Sequence, residues 1–387
     1  MSKLNELIKE LCPDGVPKMK LGAIGKVSMC KRILKADTAT TGDVPFYKIG
    51  TFGKDADAFI SYEKYEEFSS KYSYPKKGDI LISAAGTIGR TVIYDGSPAY
   101  YQDSNIVWLA HDESIVLNKY LYYCYELQPW MVSSGGTISR LYNDNIMQAE
   151  IYVPPLPVQC EIVRILDNFT ALTSALTAEL TAQRKRYSGF LNSLLSFEGR
   201  GAQDGVLWKK LGDIAVNLDS RRIAVTKHNR KAGIYPYYGA SGIVDYVDDY
   251  IFDGDFLLVS EDGANLVARS TPIAFSITGK NWVNNHAHVL KFDNIYLQKY
   301  VEIYLNLLDL SPYISKGAQP KLSQTSLKKI ILPIPDDSRI RYVVDILDRF
   351  DKLCNDLSEG LPAEIAARQK QYEYYRDKLL TFKEKEA

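Results

Sequence analysis

The chain has 387 residues, 46% hydrophobic and 24% charged, a globular composition too long for one core, so two or three domains are expected. Its 47 Lys and Arg balance 47 Asp and Glu, which argues against indiscriminate coating of nucleic acid while leaving room for local basic patches. No apolar run reaches the ~18 residues of a membrane span. The five cysteines, Cys12, Cys30, Cys124, Cys160 and Cys354, form no C-x-x-C pair and fit a reduced, cytoplasmic compartment without disulfide or zinc framework.

The first predicted element is a short amphipathic helix in MSKLNELIKELC, with Leu4, Leu7, Ile8 and Leu11 on one face; its acidic residues and lack of a small-residue cleavage site distinguish it from a signal peptide. Asp14-Gly15-Val16 and Lys20-Leu21-Gly22 follow, and both recur at a shift of 190 as Asp204-Gly205-Val206 and Lys210-Leu211-Gly212. The repeat continues along both halves. CKRI (Cys30 to Ile33) answers SRRI (Ser220 to Ile223), and the turn-and-strand GDILIS from Gly78 answers GDFLLVS from Gly254. NKYLYYCYEL from Asn118 and LQKYVEIYLNLL from Leu297 have helical spacing. GGTISRLYNDNI from Gly135 pairs with KGAQPKLSQTSL from Lys316, and both halves then pass through proline-broken strands, IYVPPLP and IILPIPD.

After the prolines the texture becomes helical. Apolar residues at Ile162, Ile165, Phe169, Leu172, Leu176, Leu180, Tyr187, Leu191 and Leu194 mark the seam of a long packed helix. Its counterpart carries Val343, Ile346, Phe350, Leu353, Leu357, Leu361, Ile365, Tyr372, Tyr375 and Leu379. Each would hold ~40 residues and measure ~60 Å if continuous. The shift grows from 181 to 185 near Ser358 to Pro362, an insertion of four that keeps the stripe in phase, and Gly360 and Pro362 are candidates to kink or break the second helix there. A dimerising coiled coil is one reading. The more economical one is an antiparallel pair within the chain, with the N-terminal helix docking near the C-terminus. The expected organisation is therefore α+β: residues 1–13 an N-terminal helix, 14–155 a first mixed α/β domain, 156–198 a long helix, 199–336 a second domain and 337–387 a second long helix.

Catalytic signatures are missing: no G-x-x-x-x-G-K-[ST], no Asn/Asp-Pro-Pro-Tyr and no G-x-S-x-G occurs. His286 and His288 would share a face on a strand, yet no Cys, His or carboxylate motif accompanies them, and polar contacts rather than a metal are expected. Positive charge instead recurs at matched places. Lys31 and Arg32 answer Arg221 and Arg222 within two basic stretches, a pattern suited to phosphate contact. Glycine-rich loops repeat with a trailing cation: Ser83 to Arg90 and Ser260 to Arg269, then Ser133 to Leu141 with Arg140 and Ser315 to Leu322 with Lys321. Between these anchors the halves diverge. YYQDSNIVWL offers Gln102 and Asn105, where WVNNHAHVL offers Asn284 and His286. These twelve residues are the candidate DNA contacts, with a solvated face as the plain alternative.

The paired KLG-x-I entries, the GD-x-L turns, the P-x-P exits near Pro155 and Pro333 and the ILD-x-F helices at Ile165 and Ile346 resemble, in this order and doubled, the specificity (S) subunits of type I restriction–modification enzymes. The resemblance covers essentially the whole chain. It implies two target-recognition domains held apart by two antiparallel helices in a coiled coil with pseudo-twofold symmetry. It implies a non-catalytic subunit that binds double-stranded DNA at a two-part target and recruits two DNA adenine methyltransferase (M) subunits, with restriction (R) subunits completing the complex. S-adenosylmethionine and ATP with Mg would then belong to the partners, and no cofactor to this chain. Of the helix positions, Ile165, Phe169, Leu172, Leu176, Tyr187, Ile346, Phe350, Leu353, Leu357 and Tyr372 would form the seam or the docking face. The family's PPL-x-EQ helix entry reads PPLPVQCEI in the first half but IPDDSRIRYV in the second, which leaves the start of the second helix open. The alternatives are a specificity component of a related single-complex restriction–methylation enzyme, or a coiled-coil scaffold whose globular ends bind protein.

Overall fold

The computed structural model describes residues 2–131, 140–196, 205–315, 317, 319–356 and 358–385. The chain forms two compact units, Met1–Thr177 with Glu364–Ala387, and Ala178–Ala363.

In the first unit a four-stranded antiparallel sheet runs in the order Lys26–Met29, Ile106–Ala110, Ile80–Ser83, Thr91–Ile93. All four residues of Ile80–Ser83 are buried, as a central strand covered on both faces requires, so it reads as a continuous apolar run rather than an alternation. A smaller sheet joins Phe59–Ile60, Val44–Tyr47 and Tyr100–Tyr101, the last two parallel. A two-stranded ribbon pairs Lys18–Lys20 with Glu150–Tyr152. Beside it Gly22 lies so close to Met147 that a Cβ would stand 3.0 Å from the methionine's methyl carbon, which is the reason for glycine in Lys-Leu-Gly. The N-terminal helix Ser2–Leu11 buries Leu4 in the same core as Tyr372 and Leu379. Val16 then bridges Glu384 in parallel, with Val16 N–H donating to Lys383 O at 2.9 Å.

The second unit repeats this plan. Its main sheet has the order Val216–Asn217, Ala287–Lys291, Phe256–Ser260, Ala274–Ile277. The smaller sheet has Gly242–Val247, Ala232–Gly239, Lys280–Val283 and Phe252–Asp253, again with one parallel pair. The ribbon pairs Leu207–Lys210 with Ile331–Ile334, and Gly212 approaches Lys328 as Gly22 approaches Met147. The internal repeat of the sequence is thus a repeat of topology.

The long helices differ. Leu156–Leu195 is one helix of 40 residues, about 60 Å at 1.5 Å per residue. Its counterpart is two helices, Asp337–Asn355 and Leu361–Leu379. The four-residue insertion does not pass as a stutter in a continuous helix. Asp356 accepts hydrogen bonds from Ser358 N (2.7 Å) and Glu359 N (3.1 Å), and Gly360 folds back so tightly that a Cβ would meet Lys352 O at 2.5 Å. Pro362, lacking an N–H, suits the first turn of the helix that follows. The start of the second helix is also resolved. Asp336 caps it at Arg339 N (3.0 Å), where the first half uses buried Gln159, bonded to Leu117 N, Ile115 O and Pro154 O.

The expected seam is only partly buried. In the first unit Phe169 stacks on Tyr375 at 5.4 Å and Tyr372 is buried, but Ile165 is half-buried while its neighbour Leu166 is fully buried. Leu176 is half-buried and Leu172 is exposed. In the second unit Tyr187 meets Phe350 at 6.1 Å and Arg184 donates to Cys354 O, so the two helices run antiparallel there. Leu347 is buried, Ile346 half-buried and Leu353 exposed; Leu357 lies outside the described residues. The cause is that these helices face the cores of their own units, which pulls Leu166 and Leu347 inward and widens the stripe beyond a coiled-coil seam. Among the described residues no helix is long and apolar enough to cross a membrane.

Candidate nucleic-acid interface

Each main sheet ends in a junction of three segments, built alike in both units. In the first, Ala84 N donates to Asn105 O (2.7 Å) and Leu141 N donates to Ala84 O (2.9 Å). In the second, Glu261 N donates to His286 O (2.9 Å) and Leu322 N to Glu261 O (2.7 Å). The glycine-rich loop after the central strand, the turn before the neighbouring strand and the segment after the helical region therefore meet at one edge. This is where the divergent polar residues of the two halves stand.

The first junction gathers Arg90, Asn105 and Arg140 with Gln102 beside them. Ser83 Oγ accepts from Arg90 N (2.9 Å), and the Arg90 guanidinium donates to Phe52 O (2.8 Å). Gln102 Oε1 accepts from Ile49 N (3.0 Å). Arg140 donates to Ser104 O (3.0 Å), lies 5.9 Å from the Tyr142 ring centre, and with Met29, Asn143 and Asp144 lines a cavity of about 350 Å3. Lys31 sits 5.4 Å over the Tyr72 ring, and Arg32 is exposed. Of the loop Ser133 to Leu141, residues 133–139 lie outside the described residues.

The second junction is an ion network. Arg222 donates to Glu261 Oε2 (2.6 Å) and Ala287 O (2.7 Å) and stands 3.6 Å from Asp219. Lys321 pairs with the other Glu261 oxygen at 3.1 Å. His288 is fully buried, with Nδ1 2.6 Å from Asp219 Oδ2 and Nε2 2.8 Å from Leu322 O. Burial opposes charge on Asp219 and Glu261. For Asp219 the bonds from His288 and Val289 N–H outweigh it, and for Glu261 those from Arg222 and Lys321 do, so both carboxyls lie below their ordinary pKa.

Asp219, Glu261 and His288 are metal-ligand types within reach of one another. However, both nitrogens of His288 already face oxygens, and the two cations compensate the carboxylates. His286 does not share a face with His288: it lies in the turn before the strand, paired with Asp262 at 2.9 Å. A strand would have aligned them; the turn does not.

The other candidates in this unit hold backbone. Arg269, in the left-handed region at φ +50°, donates to Leu305 O and Leu308 O at the end of the Ile295–Leu307 helix. Asn284 is buried and accepts from His286 N (2.8 Å). Arg221 donates to Ile251 O and lies over Phe252 at 4.9 Å. Sequence reasoning passed over Asp219 and Glu261; the change from Ser-Ala-Ala-Gly to Ser-Glu-Asp-Gly between the loops was the available signal.

Residues 13–185 and 205–367 each match the family model for the type I restriction modification DNA specificity domain. The chain belongs to this family. A provisionally named type I restriction enzyme specificity subunit of Haemophilus influenzae is 57% identical over 183 residues, 46% of this chain and 48% of that protein, so the match spans about half of that relative. The EcoR124I/EcoR124II specificity subunit of Escherichia coli is 33% identical over 70% of this chain and 72% of its own length. The specificity family also supplies the likeness in fold. The crystal structure of an S subunit from M. genitalium aligns with TM-score 0.59 at 16% identity, covering 94% of this chain and 96% of that one. A chain from a study of complex assembly and conformational transition in a type I system aligns at 0.55 and 13% identity, covering 96% and 98%.

Proposed function

We propose that this chain is the DNA-recognition subunit of a type I restriction–modification complex, each unit reading one half of a two-part target. The observation that carries this reading is the doubled three-segment junction: one backbone frame, displayed twice, with different polar side chains on it. Arg32, Lys31, Arg140, Asn105 and Gln102 are the proposed contacts of the first unit, and Arg221, His286 and Lys321 those of the second. Arg90, Arg222, Arg269 and Asn284 are assigned to holding the loops, because they are buried or half-buried and bonded inside their units, whereas Arg221, His286 and Lys321 are exposed. On this reading the chain is not an enzyme and carries no cofactor. Two adenine methyltransferase subunits docked on the helices bring S-adenosylmethionine, and restriction subunits bring ATP and Mg.

The test is a chimera in which residues 205–335 are replaced by the matching part of a relative, read by methylome sequencing of cells that also carry the methyltransferase. One half of the methylated target should change while the other half and the spacing stay. A simultaneous change in both halves would overturn the assignment of one half-site to each unit.

A further inference from the structure

The two units are filled differently where the helix after the sheet packs against the long helices. In the first unit this space holds a bonded group of aromatic and charged side chains. Tyr123, almost fully buried, packs on Tyr372 at 6.5 Å between ring centres and donates to Asp167 (2.6 Å). Glu126 accepts the Tyr372 hydroxyl, and Arg376 reaches the same carboxylate at 3.4 Å. Lys119 completes the group on Asp167 at 2.8 Å.

Matched along the repeat, Tyr123 corresponds to Ile303, Tyr372 to Tyr187, Arg376 to Leu191, Glu126 to Asn306 and Asp167 to Asp348. The ion pair is retained, as Lys299 to Asp348 at 3.0 Å. The phenol ring and the guanidinium are gone, and Asn306 has turned to the backbone of Ile273 and Ala274. What remains is a cleft of about 620 Å3, within the size range of small-molecule sites.

Its lining is not a generic void. Three carboxylates border it: Asp348 is held by Lys299 at 3.0 Å and Lys352 at 3.4 Å, while Glu302 and Asp351 have no ion pair among the described residues. The lining Arg269 is engaged on two carbonyl oxygens. Glu302 Oε2 accepts both the N–H and the hydroxyl of Ser276, which leaves Oε1 without a partner among the described residues. Among the described residues Asp351 accepts a hydrogen bond only from the amide of Asn355, at 2.9 Å. Leu191, Ile303 and Leu347 supply aliphatic wall, and the Tyr187 ring supplies an aromatic face, which together suit a cationic head on a hydrocarbon stem. Burial pushes the Glu302 carboxyl above its ordinary pKa, against the bonds from Ser276 and the charge of Lys299, and the Asp351 charge adds to the rise.

We propose that this cleft of the second unit binds an organic cation, a guanidinium or primary ammonium group on a short aliphatic chain, in the place that the Arg376 side chain fills in the first. None of Arg221, His286 and Lys321, the DNA contacts proposed for this unit, lines the cleft, so failure of those contacts and failure of this site are distinguishable.

The experiment is calorimetric titration of the full chain with two probes, agmatine and blocked N-acetyl-arginine methylamide. Agmatine binding alone assigns the site to a free small cation. Binding of both probes assigns it to the guanidinium head itself, as a protein-borne arginine would present it. Glu302→Gln and Asp351→Asn should each weaken binding at least tenfold. Leu191→Arg, which restores the internal cation, should abolish it and raise the unfolding temperature. The proposal is overturned if neither probe binds, or if binding is the same in Glu302→Gln and Leu191→Arg chains that melt at or above the parent temperature.

Discussion

At the end of the main sheet the first unit places Met29, Ala84 and Val107 where the second places Asp219, Glu261 and His288. The registers make these positions equivalent: Met29 pairs with Val107 across the first sheet, and Asp219 stands beside His288 across the second. Arg32 and Arg222 are likewise equivalent, one exposed and the other bound into the network. One backbone therefore accepts either an apolar filling or a set of charges. The lesson is that the frame is set by strand order and backbone bonds, while the filling decides whether the neighbouring arginine is free to act outside the protein.

The comparison breaks most visibly if one buried partner is removed. His288→Ala takes a ring nitrogen from Asp219 and leaves a cavity, with an expected loss of ~3 kcal/mol in chemical denaturation from the unsatisfied oxygen and the lost packing. The triple substitution Asp219→Met, Glu261→Ala, His288→Val copies the first unit, where Arg32 is exposed, and with Arg222 turned outward in the same way it should cost less than His288→Ala. Acid sharpens the same point. Asp219 and Glu261 have folded pKa values below the ordinary 3.8 and 4.5, so their stabilisation is present above the unfolded values and is lost as pH falls through the folded ones. A stability profile from pH 6 to pH 2 should fall more steeply below about 4.5 in the parent than in the triple variant. Equal slopes would show that the network does not drive acid unfolding.

A second comparison sets Tyr123 against Ile303. Tyr123→Ala removes a buried ring and its bond to Asp167, with an expected cost of ~3 to 5 kcal/mol. Ile303→Ala, in a half-buried wall of an open cleft, should cost ~1 kcal/mol. Matching losses at the two sites would mean that the second cleft is filled as tightly as the first.

The smallest effect separates the two arginines. Arg32→Ala should leave the unfolding transition in place and reduce the log-log salt slope of DNA binding by ~0.9, one phosphate contact. Arg222→Ala should do the reverse, lowering stability with the slope unchanged. Anisotropy titrations at several salt concentrations decide this, and a slope change in Arg222→Ala alone would exchange the two roles.

Much of the fold was legible because the repeat carries its own check. Lys-Leu-Gly needs glycine wherever the ribbon crosses Met147 or Lys328, and Gly-Asp turns precede both central strands, so the same backbone demands wrote the same residues twice. The candidate site was legible by place and not by role. Arg222 and Arg32 occupy matching CKRI and SRRI segments, and nothing local distinguishes the one that meets a carboxylate 39 residues away. His286 and His288 gave an alternating pattern, but the strand begins only at Ala287, and a single residue of register separated an exposed ring from a buried one.

The sequence by itself determined the doubled topology, the helical texture after the prolines and the absence of catalytic motifs, since these depend on periodicity, turn residues and local spacing. Tertiary structure alone decided the break at Gly360, the burial of Leu166 rather than Ile165, the closure of Arg222 into an ion network and the opening of the cleft beside Ile303. Each of these depends on which side chains approach across long separations, and a pairwise approach in space leaves no periodic mark along the chain.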